Sequence, residues 1–388
     1  MRHSLLLIIL ILSPLLVRGS EELDIRIPVV DMNDFYKKEK KEQFLKTLYD
    51  AMSQVGFFAV RNTGVNWLTI HNAYDEAAFF FKKDRIVKDL CCSITSKGQR
   101  GFVPGEIAKG CEIKDFKEFY HIGKEGGFPK NIWPEEGGFK ESMNALYEEL
   151  IQYIVPLQEA IVETINFYGQ TALPLDLLHA TTQQGNTLLR ALYYPAMSKE
   201  QLVDLKGPLL WGAAHTDIDL LAILPYATEK GLQVEIEGQW LNVVVPEDAF
   251  VVNVGDMLEN LTNGLFVSAR HRVVAQDPNR ERFSMVLFVH PSDETLLDPL
   301  PSCIDLTGGI QKYAPGTRKE FLWERLLELN IAPGLLEAYS KTGHTERQFL
   351  YGRQSSQVVG MLIHEGLASE VVLKRANVFC ESGEFQLR

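Results

Sequence analysis

Residues 188–290 read as eight short apolar runs, at 188–194, 209–215, 220–224, 232–236, 240–245, 249–252, 266–275 and 283–290. Glycine, proline and Asn-Gly turns separate them, which is the punctuation of strands rather than helices. Eight short strands with no long helix among them predict an antiparallel jelly roll or barrel.

The flanks read differently. Ile25 to Asp31 is a short β-rich stretch, and Phe44, Leu48, Met52 and Val55 then form one helical stripe. Residues 56–60 read as a buried strand that Asn62-Thr63-Gly64 ends. A second helix is expected at 67–83, with Ile70, Tyr74, Ala77 and Phe81 inward. Residues 97–110 carry four glycines and a proline, so they are expected to be a loop over a pocket. Across 140–167, Met143, Leu146, Leu150, Ile154, Leu157, Ile161 and Ile165 step by three and four, giving a long supporting helix that Pro156 should kink. A closing helix is expected at 320–329. The fold class is thus α+β with a mainly β core. The chain divides into an N-terminal region (24–140), a jelly-roll core with its supporting helix (141–332), and an extension (333–388) with no reading of its own.

A net charge of -12, with no basic stripe, argues against a nucleic-acid partner. The five cysteines are odd in number and form no Cys-x-x-Cys pair, so free thiols are expected. Arg2 and His3 precede an apolar run from Leu5 to Val17, and Val17-x-Gly19 resembles a cleavage site. Residues 1–19 therefore have the anatomy of a signal peptide, and that run is short for a membrane span.

The chemistry is expected within the strand-rich stretch. Nine histidines and 51 acidic residues make a His-x-acidic triplet a near-chance event, and it occurs both at His215-Thr216-Asp217 and at His344-Thr345-Glu346. Context separates the two. Alternate residues of a strand share a face, so His215 and Asp217 can reach one ion. In the run 266–275, His271 is in phase with Ala269, Val273 and Ala275, and so faces an apolar interior. Two imidazoles and one carboxylate meeting there would form the facial triad of non-haem iron(II) oxygenases. Arg282 and Ser284 are a second i, i+2 pair. A buried arginine is costly unless paired, and its fork suits a ligand carboxylate, an internal salt bridge being the alternative. Tyr194, before Pro195, could aim its hydroxyl at the same ligand or serve as a core aromatic, while Tyr193 points the other way. Asn253-Val254-Gly255-Asp256 reads as a structural turn with Asp256 capping a short helix, and Asn263-Gly264 as another turn.

In this order the residues resemble the 2-oxoglutarate/iron(II)-dependent dioxygenases of the isopenicillin N synthase-like superfamily. The resemblance runs from Ile27-Pro28-Val29-Val30-Asp31 through Gly56-Phe57-Phe58, Tyr194-Pro195 and His215-Thr216-Asp217. It continues through Asn253 to Asp256, Asn263-Gly264 and Ser268 to Val273, ending at Arg282-Phe283-Ser284 and covering about residues 24–332. It implies a double-stranded β-helix with a helical N-terminal region. It implies His215, Asp217 and His271 as iron ligands, and Arg282 and Ser284, with Tyr194 assisting, on the distal carboxylate of 2-oxoglutarate. The implied cofactors are iron(II), 2-oxoglutarate and O2, with ascorbate as reductant. A small organic substrate is hydroxylated, desaturated or cyclised while succinate and CO2 are released. Phe102, Val103, Leu224 and Phe288 are expected near the pocket, and a monomer is expected. Leu192 departs from the family, some members having asparagine there. The leader points to export, whereas the resemblance points to the cytoplasm. The rival expectations are an isopenicillin N synthase-type oxidase that uses no 2-oxoglutarate, and a jelly-roll binding protein without catalysis.

Overall fold

A computed structural model describes residues 16–18, 23–92, 98–105, 117–197, 209–330 and 332–382, with the backbone alone for 16–18 and 377–382. The strands in chain order are β1 (Leu16–Arg18), β2 (Leu23–Arg26), β3 (Val29–Asp31), β4 (Phe57–Arg61), β5 (Gly101–Val103), β6 (Glu118–Gly123) and β7 (Leu188–Tyr194). They continue with β8 (Leu210–His215), β9 (Leu221–Leu224), β10 (Leu232–Ile236), β11 (Gln239–Val244), β12 (Phe250–Val254), β13 (His271–Val274) and β14 (Arg282–Val289).

β7 to β14 are the eight expected strands. They alternate between two facing sheets, β11-β10-β13-β8 in one and β12-β9-β14-β7 in the other. That alternation is the winding of a jelly roll. The N-terminal region extends both sheets. β2 adds to β11 in parallel, β3 and β4 continue from β12, and β6 and β5 continue from β7. The single stretch expected at Ile25 to Asp31 is therefore shared between the two sheets. Its strands part at Ile27-Pro28, and Pro28 still accepts a hydrogen bond from Ala59 N–H.

Three helices cover the outer face of the larger sheet: α1 (Lys38–Gln54), α2 (Trp67–Phe81) and α3 (Phe139–Gly169). α3 has 31 residues, continues on both sides of Pro156, and buries Leu146, Leu150, Leu157 and Ile161 completely. Each such side chain contributes roughly 1.5–3 kcal/mol over leaving it in water. Phe283, Met285, Leu287 and Val289 of β14 face these helices, whereas Val286 and Phe288 face the jelly-roll interior. One sheet thus separates a structural core from a cavity lining.

Three expectations need correction. The run 266–275 is a strand only over β13. Val267 N–H donates to Met52 O, and Ser268 N–H to the Glu259 carboxylate, so tertiary partners take the backbone that a longer strand would use. Gly56 permits this approach, since a Cβ there would lie 2.2 Å from Val267 O. The expected loop at 97–110 contains β5, paired with β6, while its residues 97 and 106–110 lie outside the described residues. Phe102 packs against Phe80 and Phe81 in the structural core, not in the cavity, whereas Val103, Leu224 and Phe288 do join the interior cluster.

Most of the expected signal peptide lies outside the described residues, although β1, within 1–19, pairs with β2. No described helix is long and apolar enough to cross a membrane. The described thiols of Cys91, Cys92 and Cys303 are free. The closing helix is α5 (Arg318–Glu328), with a capping box between Thr317 and Glu320, and Leu336–Ser340, His344–Leu350, Ser356–His364 and Glu370–Ser382 form further helices after it. His344 is the fully buried first residue of one of them, bonded to Tyr339 and Gln348, so this triplet is a packing feature.

Candidate active site

β8 ends at His215 and β13 begins at His271, and these two residues oppose each other in the ladder between the strands. Their rings lie 4.4 Å apart. Asp217 sits just beyond the end of β8, so a shared strand face does not bring it to His215. Its carbonyl accepts from Asp256 N–H (2.7 Å) and its carboxylate from the Asn253 amide (2.9 Å), and these fix it instead. Asp217 Oδ1 lies 3.6 Å from His215 Nε2, and Oδ2 lies 3.6 Å from His271 Nε2. One ligand atom from each of the three falls within 4.8 Å of the others.

The ring orientations suit a cation. Nδ1–H of His215 donates to Ala213 O (2.7 Å) and Nδ1–H of His271 to Ala269 O (3.2 Å). A carbonyl only accepts, so in each neutral ring the proton sits on Nδ1 and the Nε2 lone pair faces Asp217. Burial, then the neighbouring His271, holds His215 below the ordinary imidazole range. Burial opposes the charged form of Asp217, but the two imidazoles and the Asn253 hydrogen bond outweigh it and hold the carboxyl below its usual range. Two neutral nitrogens and one carboxylate oxygen form an incomplete ligand set, which leaves coordination positions for other molecules.

Behind this cluster lies a polar support that the local sequence pattern did not reveal. Asp256 does not cap its helix α4 (Asp256–Leu261). It accepts instead from Thr216 (3.1 Å), Ser268 (2.6 Å) and Arg325 of α5 (2.7 Å). Its partners thus come from the ligand loop, the approach to β13 and the closing helix. Asp219 is buried with neither carboxyl oxygen hydrogen-bonded. Burial, together with the charges of Asp217 and Asp256, raises its pKa well above the usual range. Gly255 makes room for it, since a Cβ there would lie 2.2 Å from Asp219 O. The Asn263-Gly264 turn is structural, as expected, with φ of 55° and 76°.

Arg282 and Ser284 are 3% and 4% exposed. Arg282 Nη1 donates to Ser284 Oγ (2.8 Å) and Nε to Glu229 O (3.0 Å), and no described carboxylate pairs with it. The internal salt bridge considered above is therefore not formed among the described residues. The Tyr194 ring lies 5.1 Å from the guanidinium and 5.5 Å from Trp211, inside the jelly roll. Tyr193 points outward and stacks on Phe81 and Phe283, while Leu192 is a buried interior side chain.

A jelly roll with two imidazoles and a carboxylate converging inside it defines the class of non-haem iron oxygenases. The pattern described as the 2OG-Fe(II) oxygenase superfamily matches residues 185–291. That of the non-haem dioxygenase N-terminal region, described as "in morphine synthesis", matches residues 27–136. The chain is 30% identical to a Caulobacter crescentus protein of solved structure described as a 2OG-Fe(II) oxygenase family member, covering 78% of this chain and 99% of that one at a TM-score of 0.67. It is 29% identical to 2-oxoglutarate-dependent dioxygenase 11 of Oryza sativa subsp. japonica over 72% of this chain and 76% of the relative. It is 28% identical to codeine O-demethylase of Papaver somniferum over 80% and 82%. The chain belongs to the 2-oxoglutarate/iron(II) oxygenase superfamily. It is an enzyme that uses iron(II), 2-oxoglutarate and O2 to oxidise a small organic molecule.

Proposed function

We propose that His215, Asp217 and His271 hold the iron, and that Arg282, Ser284 and Tyr194 receive the distal carboxylate of 2-oxoglutarate. The convergence of three ligand atoms within 4.8 Å supports the first assignment most directly. Bound iron supplies oxidative decarboxylation of 2-oxoglutarate and oxidation of the substrate. The chain's own residues bind and orient. The Ala213 and Ala269 carbonyls keep both imidazoles in the ligating tautomer. Asn253 steadies Asp217, and Asp256 ties the ligand loop to α5. The interior side chains Leu192, Trp211, Val286 and Phe288 keep water from the reaction.

Incubation with iron(II), ascorbate and 2-oxoglutarate is expected to release succinate in step with oxidation of an added substrate. Substrate oxidation without succinate would refute the assignment of the Arg282 pocket. Asn253→Ala is expected to weaken iron binding by about 10–100-fold, as losses of outer-shell ligand support commonly do. An unchanged affinity in metal titration would show that Asn253 does not steady the ligand. We also read the chain as a monomer, and its apolar leader as an export signal. Light scattering and N-terminal sequencing of the secreted protein test these.

A further inference from the structure

The extension after residue 332, which has no reading of its own in the sequence, packs on α5. Leu327, a fully buried residue of α5, lies in one cluster with Leu336, Tyr339, Val358 and Leu362 of the extension. α5 has only 11 residues, and isolated helices shorter than about 12–15 residues are marginal in water, so this packing steadies it.

Two arms run from that platform to the metal cluster. In the first, Ser355 Oγ donates to Glu328 Oε1 (2.6 Å), and the other oxygen of Glu328 lies 3.6 Å from Arg325 Nη1. Arg325 Nη2 donates to Asp256 Oδ2 (2.7 Å), which also accepts from Thr216, the residue between His215 and Asp217. Asp256 Oδ1 accepts from Ser268 Oγ (2.6 Å). In the second arm, the Arg353 guanidinium lies 4.0 Å from the Tyr313 ring, and the Tyr313 hydroxyl donates to Glu259. The other oxygen of Glu259 accepts from Ser268 N–H (2.5 Å). The arms meet at Ser268, three residues before His271, one holding its hydroxyl and the other its amide. Asp256, Glu259, Tyr313, Arg325, Glu328, Arg353 and Ser355 all border one cleft of about 430 Å³. Side chains beside open space are not fixed by close packing alone, so these bonds set their positions.

We propose that Arg325 is a positioning residue for the iron ligands, and that the C-terminal extension sets the metal affinity of the site through Arg325 and Tyr313. Asp256 spans the approaches to the ligands at Thr216 and Ser268, and Arg325 fixes Asp256 against α5. Coupling of this kind passes through contiguous hydrogen bonds and needs no contact with the metal. The proposal rests on the metal assignment made above and gives the extension a part in it.

The test titrates the full chain with iron(II) without oxygen, and with cobalt(II), whose visible absorption reads the geometry of its ligands. Arg325→Met is expected to weaken iron binding about 10-fold, the low end for partners of metal ligands, and to alter the cobalt spectrum. Arg325→Gln is expected to show the same loss if the methionine variant does not fold. Arg325→Lys should restore most of the affinity, because an ammonium can still donate to Asp256. Tyr313→Phe removes the donor to Glu259 and should also weaken iron binding. Arg347→Met is the control, since the partners of Arg347 are Glu320, Pro315 and Thr342, which belong to neither arm. It should lower the melting temperature and leave the iron affinity and cobalt spectrum like those of wild type. Wild-type affinity in Arg325→Met or Arg325→Gln, or an equal loss in Arg347→Met, overturns the role of Arg325, and wild-type affinity in Tyr313→Phe overturns the second arm. Failure of the wild-type chain to bind either metal would instead overturn the metal assignment.

Discussion

Asp217→Ala is expected to abolish iron binding and all 2-oxoglutarate turnover. The carboxylate is the only negative ligand atom of the converging three, with an imidazole nitrogen 3.6 Å from each oxygen. Its removal leaves two neutral nitrogens to hold a dication in a buried site, so both charge neutralisation and one third of the protein's ligand set are lost. The Asn253 amide, which now donates to Asp217, would also lose its acceptor. The loss should exceed the about 10–100-fold typical of outer-shell changes, and Asn253→Ala provides that internal comparison. Iron content after anaerobic reconstitution, measured beside succinate release, reads the effect. Full iron occupancy in the alanine variant would refute the ligand assignment. A soluble variant with a native far-UV spectrum and no iron separates lost ligation from lost fold.

The sequence carried the strands well because their ends are chemical. Turns bound β7 to β14, and the expected limits fall within one or two residues for every strand except β13. There, Phe266 to Arg270 looks like strand, but its backbone is claimed by Met52 and Glu259. Those partners come from elsewhere in the fold, and no local pattern announces them. β6 is illegible in the sequence for a related reason. One of its faces lines the cavity and the other packs on helices, so the run Glu118 to Gly123 lacks the polar alternation that marks a half-exposed strand. At the site, His215, Asp217 and His271 were legible as residue types in order, and their convergence required a fold to make it visible. Asp256 is legible as a turn residue, but the cap that its position predicts is not formed. Its partners Thr216, Ser268 and Arg325 lie 40, 12 and 69 residues away. Short-range rules assign an aspartate at a helix start to that helix, and here tertiary donors win.

Arg282→Ala is expected to raise the 2-oxoglutarate requirement far more than it disturbs iron. The guanidinium is 3% exposed and meets only neutral protein acceptors among the described residues, the Glu229 carbonyl and the Ser284 hydroxyl. A buried cation in that state gains most from a charged ligand, and the fork geometry suits a carboxylate. Truncating one partner of a buried, hydrogen-bonded charge pair costs roughly 2–5 kcal/mol. That range corresponds to about 30-fold to several thousand-fold in the concentration of 2-oxoglutarate needed. Arg282→Lys should fall between wild type and alanine, because an ammonium keeps the charge and loses the paired donors. The Tyr194 ring packs over the guanidinium, so some loss of packing accompanies the charge. Iron titration and the 2-oxoglutarate dependence of succinate release, measured on the same preparations, separate these contributions. Wild-type iron affinity with a steeply raised co-substrate requirement is the expected result, and a co-substrate dependence like that of wild type in Arg282→Ala would refute the role given to this residue.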